Sequence, residues 1–222
     1  MHGLNAPEIL EIWENGEGRP QWHRALLLAV RAARPLAVDA VAQLEVGERD
    51  RLILALRQKT LGCPLQAVTR CPGCGETVEF TLPAEDLADP PRSAAVYEWA
   101  HGTFRLPNTE DVAAARSPED LFQRCAGGAP LDALPEWEQE IERRDPRADL
   151  VVNLECATCR RQWEIPFDAT RFFWRELRAA AHRLLRDVAA LASRYGWTEE
   201  EVLKLSPRRR RMYLELDRGE GL

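Results

Sequence analysis

Four cysteines carry the clearest chemistry in this chain of 222 residues. They form two Cys-x2-Cys pairs, Cys71-Pro72-Gly73-Cys74 and Cys156-Ala157-Thr158-Cys159. A two-residue spacer lets both sulfurs of a pair point to one side of a tight turn. Two such pairs supply the four thiolates that Zn²⁺ takes in a closed tetrahedral site. One pair alone would be ambiguous with a redox dithiol. The flanks strengthen the metal reading. Leu65 to Arg70 is strand-like and leads into Cys71, and Val78, Phe80 and Leu82 then alternate with Glu79 and Thr81. Leu150 to Leu154 precedes Cys156, and Trp163-Glu164-Ile165 follows Cys159 at the offset at which Val78-Glu79-Phe80 follows Cys74. The spacing therefore predicts one structural Zn²⁺ per chain on Cys71, Cys74, Cys156 and Cys159. The ribbon that holds it is split, because 81 residues separate Cys74 from Cys156.

Catalytic chemistry finds little footing. Four sulfur ligands would leave the metal no open position for water or substrate. His2, His23, His101 and His182 are scattered. No G-x-S-x-G, P-loop or H-E-x-x-H occurs. The acidic run from Glu136 to Glu140 reads as a solvated helix face. Cys63 and Cys125 have no partner at ligand spacing and are expected to be buried thiols. An enzyme is not expected, nor a small-molecule substrate.

The composition narrows the classes further. At 45% hydrophobic and 30% charged, the chain has enough apolar material for packed cores. Its apolar runs fall far short of the roughly 20 residues that span a bilayer, and no signal-peptide pattern opens it. A cytoplasmic location is expected, without membrane contact. The net charge of −6 opposes general nucleic-acid binding. That charge is uneven: residues 171–222 hold 12 Lys and Arg against 8 Asp and Glu, leaving 18 against 28 in residues 1–170.

The elements that must position these residues are mostly helical. Asn5 can cap a helix opened by Pro7, with Glu8 completing a capping box and Ile9, Leu10 and Trp13 on its apolar side. A second helix from Pro20 to Ala33 puts Trp22, Leu26, Ala29, Val30 and Ala33 on one face. A third runs from about Glu48 to Leu61, with Leu52, Ile53 and Leu56 inward. Residues 83–95 read as a loop. Phe104 to Pro107 is a short strand before a helix capped near Asn108 or Thr109, and further helices begin at Ser117-Pro118 and Pro135. The expected class is α+β, mainly helical. Its regions are N-terminal helices over 1–62, a split four-cysteine zinc ribbon over 63–170 with a helical insertion at about 84–150, and a C-terminal long helix with a helical hook over 171–222.

The strongest periodicity lies at the C-terminus. Trp174, Leu177, Ala181, Leu184, Val188, Leu191 and Tyr195 follow 3-4 spacing along one helical stripe. Gly196 ends that helix, Thr198 with Glu201 makes a capping box for a short one, and Ser206-Pro207 opens a last helix to Asp217. Leu191-Ala192, Tyr195-Gly196-Trp197, Glu201-Val202-Leu203, Leu205, Arg209-Arg210 and Tyr213-Leu214 together resemble the tail of a phage family. It is that of the small baseplate hub and hub-assembly proteins of T-even-like contractile phages and related contractile injection systems. The resemblance is strongest over residues 171–217. It implies a non-enzymatic assembly factor or minor baseplate component, with baseplate or tail-assembly proteins as partners. On that reading Trp197 and Tyr213 are expected to anchor a partner, while Arg209 and Arg210 pair with its carboxylates; the other reading makes both aromatics the core of a small C-terminal helical cap. The alternative is a zinc-ribbon nucleic-acid-binding or transcription-associated protein, which the net charge disfavours.

Overall fold

The computed structural model describes residues 1–62, 64–82 and 96–217; the expected loop at 83–95 and Cys63 lie outside the described residues. The fold is α+β and mainly helical, with three small antiparallel hairpins among the described residues. It divides into two compact units. One comprises residues 1–3 and 20–173, the other residues 4–19 and 174 onward.

The first unit begins with helices α2 (Gln21–Ala32), α3 (Val38–Ala42) and α4 (Val46–Leu61). Helix α2 buries Ala25, Leu28, Ala29 and Ala32, a face rotated from the expected one. Apolar residues fill Ala25 to Val30 without a break, so the helix is hydrophobic nearly all round there and its periodicity does not single out a side. Its packing on α4 decides. Helix α4 buries Ile53, Leu54 and Leu56. Its first turn takes a long-range partner: the backbone N–H of Gly47 donates to Asp145 Oδ2 at 2.9 Å. That carboxylate does what a local cap would do, satisfying an otherwise orphaned donor at the positive end of the helix dipole.

Hairpin β1 (Leu65–Arg70) with β2 (Thr77–Leu82) and hairpin β5 (Leu150–Glu155) with β6 (Gln162–Phe167) carry the two cysteine pairs at their turns. Leu54, Leu65, Ala67, Ala169 and Phe172 are buried in one core, joined by Phe80, Leu82, Leu150 and Phe167 from the hairpins. Between the hairpins in sequence comes a separate core. Strands β3 (Val96–Trp99) and β4 (Gly102–Arg105) pair, and helices α5 (Thr109–Ala114), α6 (Pro118–Cys125) and α7 (Leu134–Arg144) follow. Phe104, Leu106, Phe122, Cys125 and Trp137 are buried together there, with Trp99 edge-on to Phe104 and Phe122 edge-on to Trp137. Cys125 is thus the buried thiol expected of it. Strand β3 is absent from the sequence reading, because four residues give period-two alternation too little length to register.

The second unit holds α1 (Ala6–Gly16), most of α8 (Ala169–Tyr195), α9 (Glu199–Lys204) and α10 (Pro207–Asp217). The Asn5 capping box forms in both directions, Glu8 N–H to Asn5 Oδ1 at 3.0 Å and Asn5 N–H to Glu8 Oε2 at 2.9 Å. Leu10 packs with Ala181 and Leu184, and Trp13 and Leu203 close over them. Gly16 lies so near Trp174 that an added Cβ would sit 2.2 Å from the indole ring. Of the long apolar stripe, Trp174, Leu177, Ala181, Leu184 and Leu191 are buried.

Candidate metal centre

The two cysteine turns match bond for bond. In the first, Cys71 N–H donates to Glu76 O at 2.8 Å and Gly75 N–H to Cys71 O at 2.9 Å. In the second, Cys156 N–H donates to Arg161 O at 2.9 Å and Arg160 N–H to Cys156 O at 2.9 Å. The hairpins beneath them end in register, Arg70 opposite Thr77 and Glu155 opposite Gln162. Each turn needs a left-handed residue just after its second cysteine. Gly75 fills that place with φ of 76°, and Arg160 fills it with φ of 58°.

The turns bring all four sulfurs within 4.8 Å of one another. Cys71 Sγ is 3.5 Å from Cys159 Sγ, and Cys74 Sγ is 3.6 Å from Cys156 Sγ. Tetrahedral sites with metal–sulfur bonds of about 2.3 Å need sulfurs about 3.8 Å apart, so the set fits a single ion. Cys71 and Cys156 are buried, while Cys74 and Cys159 face solvent. Backbone amides support the sulfurs, as with Gly73 N–H to Cys71 Sγ at 3.3 Å. Burial acts to raise the Cys71 thiol, yet the amides of Cys74 and Gly73 and the neighbouring thiols outweigh it and bring it to about 6. The amide of Cys159, followed in effect by that of Thr158, holds Cys156 below its ordinary value against the cost of burial. The Glu76 amide acts to lower the Cys74 thiol, but Cys159, burial and the other two sulfurs outweigh it and push it up to about 12. The sulfurs thus share their protons in the absence of a cation, and metal binding would release those that remain.

The expected partner-binding residues belong to the second unit. Trp197 stacks on Tyr195 with centroids 4.8 Å apart, and Tyr213 meets Trp197 edge-on at 4.9 Å. All three rings are half-buried. Arg209 is exposed. Arg210 departs from the expected surface position: it is 5% exposed, and its Nε and Nη1 have no hydrogen-bond partner among the described residues. Its nearest compensation is the field of Asp187 on α8. Four arginines in a row hide which one the helical period turns inward, so only packing separates Arg210 from Arg209.

A second buried polar cluster escaped the sequence reading. Arg105 forks onto Asp111, with Nη2 2.7 Å from Oδ1 and Nη1 bonded to Oδ2, and Cys125 Sγ lies 3.8 Å from that second oxygen. Asp111 also closes a capping box with Asn108. The box was legible in sequence; the arginine and thiol arrive from other elements. Asp111 and Cys125 are buried in this cluster, while the Arg105 side chain is partly open to solvent.

Family models, characterised proteins and solved structures yield no match to this chain. No helix among the described residues is long and apolar enough to cross a membrane.

Proposed function

We propose that the chain is a non-enzymatic assembly factor or minor baseplate component of a contractile, phage-tail-like injection system. It acts through protein contacts and carries one structural Zn²⁺ on Cys71, Cys74, Cys156 and Cys159. The observation that carries the functional reading is the sequence resemblance over residues 171–217. The residues that bear it are packed rather than scattered: Leu191 and Val202 are buried, and Tyr195, Trp197 and Tyr213 share one aromatic cluster. The zinc reading rests on an all-sulfur donor set on two matched turns, which suits a soft, redox-inert tetrahedral ion. With every position filled by cysteine, the ion would hold two hairpins together and present no site for chemistry.

Two measurements test this. Metal analysis of the natively purified protein should return one zinc per chain, and a metal-free native protein would refute the structural-zinc reading. Deleting the gene in its host should abolish assembled tail-like particles or leave them unstable. Mass spectrometry of purified particles then separates the two roles, since a subunit is retained and an assembly factor is lost. Normal particles in the deletion strain, with the chain absent from those of the parent strain, would sink the reading.

A further inference from the structure

The four sulfurs of the metal centre are not equivalent. Cys71 and Cys156 are buried, whereas Cys74 and Cys159 are exposed. Two close contacts cross from one hairpin to the other, Cys71 Sγ to Cys159 Sγ at 3.5 Å and Cys74 Sγ to Cys156 Sγ at 3.6 Å. Each contact therefore joins one exposed sulfur to one buried sulfur, and one turn to the other. A closed structural site requires four sulfurs, but it does not require that two of them face solvent.

An oxidisable cysteine needs an accessible thiolate and a resolving sulfur beside it. Both cross-hairpin pairs meet these conditions in the loaded protein, because cysteine ligates metal as the thiolate. The exposed sulfur of each pair is open to a peroxide, and the buried one waits behind it. Both contacts lie within a short side-chain rotation of bonding distance. The bonds would span 88 and 82 residues of chain. Each would tie β1–β2 to β5–β6, as a shared ion does.

We infer that the centre is a peroxide-sensitive site at which the metal staple is exchanged for two disulfides between the hairpins, Cys71–Cys159 and Cys74–Cys156. In each pair the exposed thiolate attacks the O–O bond of a hydroperoxide and becomes a sulfenic acid. The alkoxide or hydroxide that leaves takes up a proton. The buried thiolate then attacks the sulfenic sulfur, forming the S–S bond and expelling hydroxide, which takes a second proton to become water. Two electrons pass from each sulfur pair to one peroxide. Sulfurs joined to each other no longer serve as thiolate ligands, so the chain releases its metal. A disulfide within one turn would close a short loop and leave the hairpins unlinked, whereas one between turns keeps them linked. This rests on the four-sulfur metal reading and is independent of the baseplate reading.

The test treats the full-length, zinc-loaded protein with hydrogen peroxide, and zinc is counted before the oxidant is added. Brief exposure in the presence of dimedone, which traps sulfenic acids, should label Cys74 and Cys159 and spare Cys71 and Cys156. Without the trap, one zinc should be released per chain. Mass spectrometry of the unreduced digest should then map Cys71–Cys159 and Cys74–Cys156. Hydrogen exchange should find β1–β2 and β5–β6 still protected, whereas chelating zinc from the reduced protein should loosen both. A thiol reductant with added zinc should restore the starting state. Disulfides within the turns, Cys71–Cys74 or Cys156–Cys159, would overturn the inference. So would first labelling at a buried sulfur, zinc release with loss of hairpin protection, or cysteines left unchanged by peroxide. A starting protein without zinc would instead refute the metal reading, and its disulfide map would still decide the pairing.

Discussion

Gly75 and Arg160 occupy the same place in two matched turns, each the left-handed residue after the second cysteine of its pair, with φ of 76° and 58°. Glycine adopts that conformation without steric cost, whereas an L side chain crowds its own backbone there. The second turn therefore carries strain that the first does not. Arg160 recovers little through Glu155, since that contact is an exposed 3.2 Å pair. Arg160→Gly is expected to stabilise the metal-bound protein by about 0.5–1 kcal/mol, and Gly75→Ala to destabilise it by a similar amount. Thermal unfolding of the two variants checks the pair of opposite signs.

Metal removal should act on both hairpins at once. Each contributes two of the four sulfurs, so neither fills a coordination sphere alone. Cys159→Ser is expected to lower zinc content sharply and to loosen β1–β2 as well as β5–β6, although the substitution touches only the second. Hydrogen exchange resolved by hairpin reads this directly. Protection lost in β5–β6 with β1–β2 unchanged would contradict a shared ion.

Arg209 and Arg210 should respond very differently to substitution. Arg209→Ser changes an exposed side chain and should fall within about 0.5 kcal/mol of the parent. Arg210→Ser opens a cavity beneath α10 and should cost about 1–3 kcal/mol. Arg210→Met fills that space without buried, unpartnered nitrogens and should stay within about 1 kcal/mol of the parent. Chemical denaturation of the three variants distinguishes a packing role for Arg210 from an interface role. An assembly defect is interpretable as lost contact only for Arg209→Ser.

Asp111 and Cys125 give a pH signature at both ends. Burial pushes the Asp111 carboxyl up, but the Arg105 fork and the Asn108 amide outweigh it and hold it below its ordinary 3.8. A depressed folded value means this stabilisation is fully present above 3.8 and is lost as pH falls through the folded value. Asp111→Asn should remove that acid dependence and cost about 1–2 kcal/mol at neutral pH, at the low end because Arg105 is partly solvated. Burial, and then the Asp111 charge, push the Cys125 thiol up to about 12. Above 9.0 the unfolded chain ionises this thiol while the folded chain does not, so stability declines from there. Iodoacetamide labelling of the folded protein at about pH 8, near the ordinary thiol range, should spare Cys125.

The amino-acid sequence by itself determined the features whose causes lie within a few residues. The capping boxes at Asn5–Glu8 and Thr198–Glu201 form as their spacing dictates, because donor and acceptor are three positions apart. The two cysteine turns and their strands were legible for the same reason, and their repetition pointed to one centre. Tertiary structure decided what depends on a distant neighbour. It chose the buried face of α2, where unbroken apolar residues gave periodicity no preference. It brought Asp145 to Gly47 across 98 residues to cap α4, a role no local pattern announces. It also turned Arg210 inward from a run of identical residues, since only packing against α8 distinguishes one arginine of that run from the next.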